Sequence, residues 1–377
     1  MFHIYIDKDS LAKIYVNEKD KEDLCQDAWY RIFKKQSFIY VNSASNIKSD
    51  YSVEISNMES QEDCDMQLLR ELYKLQQLAD FQQGSNVDLK KSQLVDMDQI
   101  ESNPSIVHND PCAIYLLNID KEKAEKIQRD FGVICQSVDS LDSSFLTKGF
   151  IDVSPHNGDK DYGWAKVLSI LKKYPSNSVI INDRNLFANE TLDSASGEPG
   201  NKFGIDNLFE ILDAIIPKKF CGEYHVFVCF DESSLNPNVS IGYICDQITT
   251  SIKQRLHRKS NIIFEILSLH GNSSPFYDIT HNRRILTNYF IITAEHMLKA
   301  FDASKSLTSQ HITGYKLFNH GLYDGNDAPE KLHRDMINDF KNMCNYFKEH
   351  PSSKFYTYYI NNNNQPFSSV KNRLLAI

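Results

Sequence analysis

A regular alternation of apolar strands with amphipathic helices occupies the middle of this chain and limits what it can fold into. Runs rich in β-branched and aromatic residues occur at 178–181, 224–230 and 261–267, as is typical of buried strands. Helical periodicity fills the intervals, at 205–216 and 241–258. Strands separated by helices in this order predict an α/β sandwich.

The beginning of the chain has a shorter form of the same pattern. Residues 2–6 alternate in polarity and residues 37–41 combine aromatic with β-branched side chains, so both predict strands. Residues 113–117 and 131–135 are apolar and flank a helix-forming stretch at 121–130. A strand, a helix and a second strand in succession predict a parallel pair. Further helices are predicted at 28–33, 62–83 and 162–173.

A stretch rich in Ser, Gly, Asp and Pro at 140–160 marks the predicted domain boundary. We therefore predict two α/β domains. Residues 1–150 form a small α/β module, which we expect to recognise a partner. Residues 151–377 form the second domain, which ends in a helical tail from about 327 to 349.

Composition excludes several functional classes. The net charge of -9 argues against a chain that coats nucleic acid through bulk electrostatics, although a local basic groove stays open. The 8 cysteines have no zinc spacing and are expected to be reduced, mostly buried thiols. No apolar run is long enough for a transmembrane segment and the start lacks signal-peptide features, which favours a cytoplasmic protein. Nucleotide-cofactor motifs are absent, so we expect no cofactor.

The most specific local pattern is a histidine and an arginine two residues apart, within a predicted strand pair across 277–293. On an extended strand, His281 and Arg283 would share one face. An imidazole can attack phosphorus or donate a proton, and a guanidinium binds phosphate oxygens in a fork. This pair predicts a compact anion site.

The spacing His281-x-Arg283-x4-Asn288 resembles the H-x-K-x4-D signature of the phospholipase D superfamily. The words THNRRILTNYFIITAEH are similar to the phospholipase-D-like C-terminal domain of MIT-domain proteins and their bacterial relatives. The resemblance implies a phospholipase-D-like α/β sandwich over residues 151–377. It also implies catalytic positions for His281 as nucleophile, Arg283 as phosphate holder and Asn288 as orienting residue.

The chain departs from that signature, and these departures leave two alternatives for how the site functions. Arginine stands in place of lysine at 283, and Asn288 cannot supply the negative charge of an aspartate. Active members pair two motifs, whereas the other H-x-basic step, at His257, meets Phe264 where the acid belongs. The single motif implies either a homodimer that brings two copies of His281 together or a degenerate site that binds without cleaving.

Other basic residues are candidate phosphate ligands beside Arg283. Arg184 follows the strand at 178–181 and could join an anion pocket, or form a surface ion pair. Lys253 and Arg255 lie near the end of the helix at 241–258. They could form the rim of a phosphate or nucleic-acid groove, or serve only the helix dipole.

Three functions are consistent with these features. The first is binding of a phosphate-bearing ligand (nucleic acid, nucleotide or lipid head group), which by analogy with bacterial relatives fits a component of an antiphage or mobile-element system. The second is a metal-independent phosphodiesterase or nuclease that uses His281 in a homodimer. The third is a PIN-like nuclease in the N-terminal domain, the only one of the three that needs Mg²⁺. Its candidate carboxylates are Asp7, Asp9, Asp110, Asp120, Asp139 and Asp142.

Overall fold

A computed structural model provides the structure of the chain, which is mixed α/β. It describes residues 2–7, 37–42, 47–62, 88–92, 110–142, 150–152, 174–192, 202–271, 274–294, 312–316, 329–351, 355–361, 363–365 and 370–375, with a few isolated residues between these ranges. These residues fall into two compact units, the first within 2–142 and the second within 150–375. The predicted helices at 28–33, 62–83 and 162–173 lie wholly or mostly outside the described residues.

The first unit contains a parallel sheet of five strands in the order β3-β2-β1-β4-β5. Its elements are β1 (Phe2–Asp7), β2 (Ser37–Asn42), α1 (Ile47–Glu59), β3 (Asp88–Ser92), β4 (Ile114–Leu117), α2 (Lys121–Phe131) and β5 (Ile134–Ser137). The predicted parallel pair of β4 and β5 around a helix is confirmed. Helix α1 was not predicted, because its sequence has almost no apolar periodicity.

Helix α2 packs on this sheet through a narrow apolar face. Ala124 and Ile127 are buried, while the charged residues around them stay exposed. The helix ends where Gly132 adopts the left-handed conformation, with φ of 65°, and donates its N–H to the carbonyl of Gln128 at 3.0 Å. Glycine is the residue that takes this conformation without steric cost, so the sequence sets the helix end here.

The second unit contains a sheet of nine strands in the order β14-β13-β9-β8-β7-β10-β11-β12-β6. Its strands are β6 (Phe150–Asp152), β7 (Ser178–Asn182), β8 (Glu223–Asp231), β9 (Asn261–Leu269), β10 (Arg284–Thr287), β11 (Phe290–Ala294), β12 (Ile312–Lys316), β13 (Tyr356–Ile360) and β14 (Asn363–Asn364). Its helices are α3 (Phe203–Ile215), α4 (Ile241–Arg255), α5 (Tyr277–His281) and α6 (Pro329–Glu349). Among these described strands, only β7, β8 and β9 pair in parallel. The remaining pairs are antiparallel.

Alternating side chains of the central strands pack on different helices. Val226 and Val228 belong to a core cluster that includes the buried faces of α3 and α4. Phe227, between them in sequence, contacts Phe340 of α6 edge to face, with ring centroids 6.2 Å apart. Since successive strand residues point to opposite faces, α6 covers the face opposite α3 and α4. This layering is typical of α/β proteins.

A buried asparagine joins the end of the described chain to the amino ends of β7 and β8. The Asn372 amide donates to the carbonyl of Val179 at 3.0 Å and to that of His225 at 3.4 Å. Its oxygen accepts from the Ser178 hydroxyl at 2.8 Å. Because every one of these groups is buried, residue 372 fixes the last described segment against the sheet.

Six cysteines fall within the described residues, and all six are free thiols. Four of them, Cys135, Cys229, Cys245 and Cys344, are buried, which confirms for this part of the chain that the cysteines are mostly buried. Among the described helices, none combines the length and apolar character needed to span a bilayer.

The amino end of α3 is closed by a fully buried glutamate. Glu190 accepts the N–H of Ile205 at 2.9 Å and also that of Gly204. Burial raises the pKa of Glu190 to about 7, although the two N–H groups and Lys202 act to lower it. Asp206 adds a smaller upward effect.

This glutamate should make stability depend on pH. With a pKa of about 7 in the folded protein against 4.5 for an ordinary glutamate, the native state holds a proton that the unfolded chain releases. The contribution of Glu190 to the free energy of unfolding therefore falls between about pH 4.5 and 7, and it does not change further above pH 7. Glu190→Gln removes this effect, so the variant should gain about 3 kcal/mol relative to wild type between pH 4.5 and 8. Urea unfolding of both proteins at each pH measures the difference, and a difference that does not change with pH would contradict it.

Candidate anion-binding site

The carboxyl ends of the parallel strands carry the polar groups from which a site can be built. Asp183 and Arg184 follow β7 directly, and Asp231 is the last residue of β8. Strands β7 and β8 are neighbours and run the same way, so these side chains start from the same edge of the sheet. In α/β sheets, ligands bind in crevices at this edge.

Asp231 is a fully buried carboxylate held by several donors. One oxygen accepts the Ser233 N–H at 2.9 Å, the Ser233 hydroxyl at 2.7 Å and the Gly271 N–H at 3.1 Å. The other oxygen lies 3.2 Å from Nε of Arg184. The aspartate therefore forms an ion pair with one side of that guanidinium.

The other side of the Arg184 guanidinium faces histidine and tyrosine. Its Nη1 lies 3.2 Å from Nε2 of His281, and its central carbon lies 4.7 Å from the centroid of the Tyr277 ring. The rings of Tyr277 and His281 meet edge to face at 4.7 Å. A guanidinium only donates, so Nε2 of His281 accepts and this contact requires a neutral imidazole with its proton on Nδ1.

Short helix α5 holds His281 in place because it is attached to the end of β7. The Asn182 amide donates to the carbonyl of Ile279 at 2.7 Å and to that of Asn282 at 2.5 Å. The N–H of Arg184 donates to the carbonyl of Thr280 at 3.0 Å. The predicted strand across 277–283 is therefore wrong: residues 277–281 are helical, and carbonyls of this segment accept from Asn182 at the end of β7 and from Arg184 just after it.

Arg283 lies beside the second buried aspartate. Its Nε is 3.9 Å from an oxygen of Asp183, and 24% of its side chain is exposed. Asp183 accepts N–H groups from Asn185 at 2.9 Å and Leu298 at 2.5 Å. Burial raises the pKa of Asp183, while these N–H groups and Arg283 oppose that rise. Both arginines of this edge thus have a buried carboxylate behind them.

Asn288 lies at the other end of β10 from His281 and Arg283. Strand β10 runs antiparallel to β7, with Arg284 opposite Asn182 and Thr287 opposite Val179. Asn288 therefore sits at the amino edge of β7. The structure brings His281 and Arg283 to one edge but does not bring Asn288 to them.

The contacts of Asn288 are those of a structural residue. It is fully buried, its oxygen accepts the N–H groups of Asn177 at 3.0 Å and Ser178 at 3.3 Å, and its amide donates to the Asn177 side chain at 2.8 Å. An orienting role at the anion site is thus corrected to a role in fixing the β10–β11 turn. The reason is geometric: β10 runs from the carboxyl edge of β7 to its amino edge, so residues 283 and 288 lie at opposite edges of the sheet.

Lys253 and Arg255 belong to the opposite edge as well. They lie in the last turn of α4, which leads to the amino end of β9. Arg255 is 2.6 Å from Asp206 and 3.5 Å from Glu210, so two carboxylates on α3 neutralise it. Of the four predicted phosphate ligands, the structure brings Arg184 and Arg283 to one edge of the sheet. It leaves Lys253 and Arg255 in the last turn of α4, which leads to the amino end of β9.

The carboxylates of the PIN-like hypothesis do not gather in the described part of the first unit. Asp110 precedes β4 and accepts from His3 at 2.5 Å and Tyr5 at 3.0 Å, near the amino ends of β4 and β1. Asp120, Asp139 and Asp142 lie beyond carboxyl ends of strands and are exposed. The side chain of Asp7 and the whole of Asp9 are outside the described residues. Among described residues, no group of three or more His, Cys, Asp or Glu could hold a metal.

Asp231, which faces Arg184, was not predicted as a site residue, and neither were Glu232 and His270 beside it. Asp231 directly follows the strand predicted at 224–230, and a Ser pair begins two residues later, a signal of a side-chain-capped turn that could have marked it. Beside it, Glu232 lies 3.0 Å from Nε2 of His270 at the end of β9, and this hydrogen bond lowers the pKa of Glu232. Nothing in the sequence pairs residues 232 and 270 in advance.

No protein-family model matches this chain, and no curated protein matches it. Among solved structures, one described as "Crystal structure of Aa-Ago with externally-bound siRNA" is similar over 91% of this chain and 44% of its own, with 10% sequence identity and a TM-score of 0.16. The chain thus spans less than half the length of that protein. A TM-score this low carries no argument about fold or function.

Proposed function

We propose that this chain binds a phosphate-bearing ligand at the carboxyl edge of β7 and β8. Arg184 and His281 are the principal contacts, and Arg283 is a second guanidinium at the same edge. The observation that carries the proposal is the setting of Arg184: its Nε faces buried Asp231, its Nη1 faces His281, and 29% of its side chain is exposed.

The setting of Arg184 suits recognition of an anion. A guanidinium held on one side by a carboxylate keeps donors on the other side, and its fork matches the spacing of phosphate oxygens. Because Asp231 and Tyr277 already define the orientation, little side-chain entropy is lost when a ligand binds. An incoming phosphate would take the Arg184 donor now given to Nε2 of His281, and the imidazole would contact the ligand through an N–H, since phosphate oxygens accept hydrogen bonds.

The resemblance to the phospholipase D superfamily supports the same ligand chemistry and adds a second candidate function. In active members of that superfamily, one imidazole attacks phosphorus and another protonates the leaving group. His270, beside Glu232, ends up at the same edge as His281, because β8 and β9 are parallel neighbours. Cleavage of bis(4-nitrophenyl) phosphate in EDTA, lost in His281→Ala, would support this second function. A homodimer with two copies of His281 stays the alternative source of the second imidazole.

Binding can be tested with inorganic pyrophosphate by isothermal titration calorimetry. Arg184→Gln should weaken binding by at least about tenfold, since charged hydrogen bonds to the phosphate are lost. Arg255→Gln is the matched control: this arginine is similarly exposed, at 32%, and is paired with Asp206, but lies at the opposite edge. Its binding should equal that of wild type. Equal losses in both variants, or none in Arg184→Gln, would refute the proposed site.

A further inference from the structure

A band of aromatic rings continues the carboxyl edge beyond Tyr277. The preceding residue, Phe276, places its ring 5.3 Å from that of Tyr346 on α6. His350, one turn further along and just past the end of α6, stacks on Tyr346, with ring centroids 4.2 Å apart and planes 21° apart. Arg184 thus contacts Tyr277, and the next residue back in sequence, Phe276, contacts the His350–Tyr346 stack.

The direction of α6 places this stack on the same edge as Arg184. Near its start, Nε2 of His333 donates to the carbonyl of Thr287 at 2.7 Å, at the amino edge of β7. After α6 the chain enters β13 at Tyr356, which pairs with Leu269 at the carboxyl end of β9. The helix therefore crosses the sheet from the amino edge to the carboxyl edge, where its Tyr346 contacts Phe276.

The His350–Tyr346 stack is a fixed platform with one open face. Nδ1 of His350 donates to the carbonyl of Tyr346 at 2.8 Å, which fixes the orientation of the imidazole ring. Tyr346 covers one face of that ring, whereas the residue as a whole is exposed. Its exposure therefore belongs to the outer face and the edges, and a flat ring held this way can stack on another flat ring.

We propose that the ligand is a nucleotide unit, with its phosphate on Arg184 and His281 and its base stacked on the His350–Tyr346 platform. This inference rests on the proposed phosphate site. Bases stack on aromatic side chains in sequence-tolerant nucleic-acid sites, and an arginine beside such rings binds the backbone. Acidic neighbours of the site, including exposed Asp278, favour a contact limited to one phosphate and one base rather than a long basic track.

A lipid head group fits the same edge less well. Insertion into a bilayer needs exposed apolar side chains around the phosphate site. Among the described residues, the large apolar side chains with high exposure are Val53, Met66 and Tyr73, and all three belong to the first unit. The rings of Phe276 and Tyr346 instead contact each other and are only partly exposed.

Calorimetry with ligands that differ only in the base tests this inference. Adenosine 5′-monophosphate should bind at least about tenfold more tightly than ribose 5-phosphate, from the stacking of one base. His350→Ala should weaken binding of the nucleotide by about tenfold and leave ribose 5-phosphate unchanged. His257→Ala, an exposed histidine at the opposite edge, is the control and should alter neither. Arg184→Gln should weaken both ligands.

The outcomes separate the two proposals. Equal affinities for nucleotide and sugar phosphate, or no effect of His350→Ala, would refute the base platform while an effect of Arg184→Gln would keep the phosphate site. If neither ligand binds, both proposals fail. A single-stranded hexa-adenylate then identifies the source of the nucleotide unit. Binding that is tighter than that of the monophosphate indicates a nucleic-acid strand, and equal or weaker binding indicates a free nucleotide. Either result requires that the base stacks on the His350–Tyr346 platform. Competition in which vesicles of phosphatidic acid displace the nucleotide would overturn the proposal of a nucleotide ligand.

Discussion

Replacement of Gly204 by alanine is expected to reduce the free energy of unfolding by about 3 kcal/mol. A Cβ at this position would lie 2.3 Å from the carbonyl oxygen of Leu186 and 3.0 Å from Cα of Phe187. Both are backbone atoms of the turn that follows Arg184, so neither can move aside as a flexible side chain would. Helix α3 would have to shift away from its cap at Glu190, whose oxygen would be 3.1 Å from the new methyl group.

A second glycine in the same unit provides the control. Gly242 lies in the first turn of α4, where the nearest atom to an added Cβ is the Ser240 hydroxyl, at 3.8 Å. Gly242→Ala should therefore be neutral or stabilise by up to about 1 kcal/mol, because alanine favours helix. Urea unfolding at pH 7 measures both variants. Similar losses in the two would show that the close approach at residue 204 is not what requires glycine.

The strands of the second unit could be predicted from the sequence because they are buried on both faces. Residues 224–230 are apolar except for His225, and the observed strand is Glu223–Asp231. Nearly every side chain in it is buried, so its identity as a strand follows from local sequence. The helix at Tyr277–His281 has no such signal. Its conformation depends on donors from Asn182 and Arg184, about one hundred residues earlier, which no local pattern can reveal.

The candidate site, like the fold, could be predicted from the sequence only in part. Arg184 could be selected because it follows a strand, and the carboxyl ends of parallel strands share an edge. The spacing of His281 and Asn288 could not say on which edge each would fall, since that depends on where β10 begins and ends. Asp183 could not be selected, because aspartates at strand ends are common and only tertiary packing buries it. Asp231 had one local signal, the Ser pair at 233 and 234, but that signal does not say that the aspartate faces Arg184.

The two buried aspartates explain why this edge can keep cations in place. An exposed arginine normally samples many rotamers, and an anion that binds it must order the side chain. Here Arg184 is paired with Asp231, and Asp183 lies beside Arg283. The cost is a pair of buried carboxylates, which the fold stabilises with backbone N–H groups. Such an arrangement is more easily explained by a site for an anion than by stability alone, since buried ion pairs contribute little net stability.

Asp231→Ala is expected to lower the free energy of unfolding by about 4 kcal/mol, the effect of removing one partner from a buried charged network. The change would leave the N–H groups of Ser233 and Gly271 without their acceptor and Arg184 without its carboxylate. Asp231→Asn keeps the acceptor oxygen but not the charge, so it should cost about half as much. Urea unfolding of the three proteins gives both values.

A double-mutant cycle then isolates the link between the aspartate and Arg184. Asp231→Asn and Arg184→Gln each break the same contact of 3.2 Å, so the double variant should lose less stability than the two single losses added together. Non-additivity above about 0.5 kcal/mol would mean that the carboxylate acts on the guanidinium. Additive losses would mean that Asp231 serves only the turn at Ser233 and Gly271. In that case Arg184 would not be held in advance for a ligand, and the main support for the phosphate site would be gone.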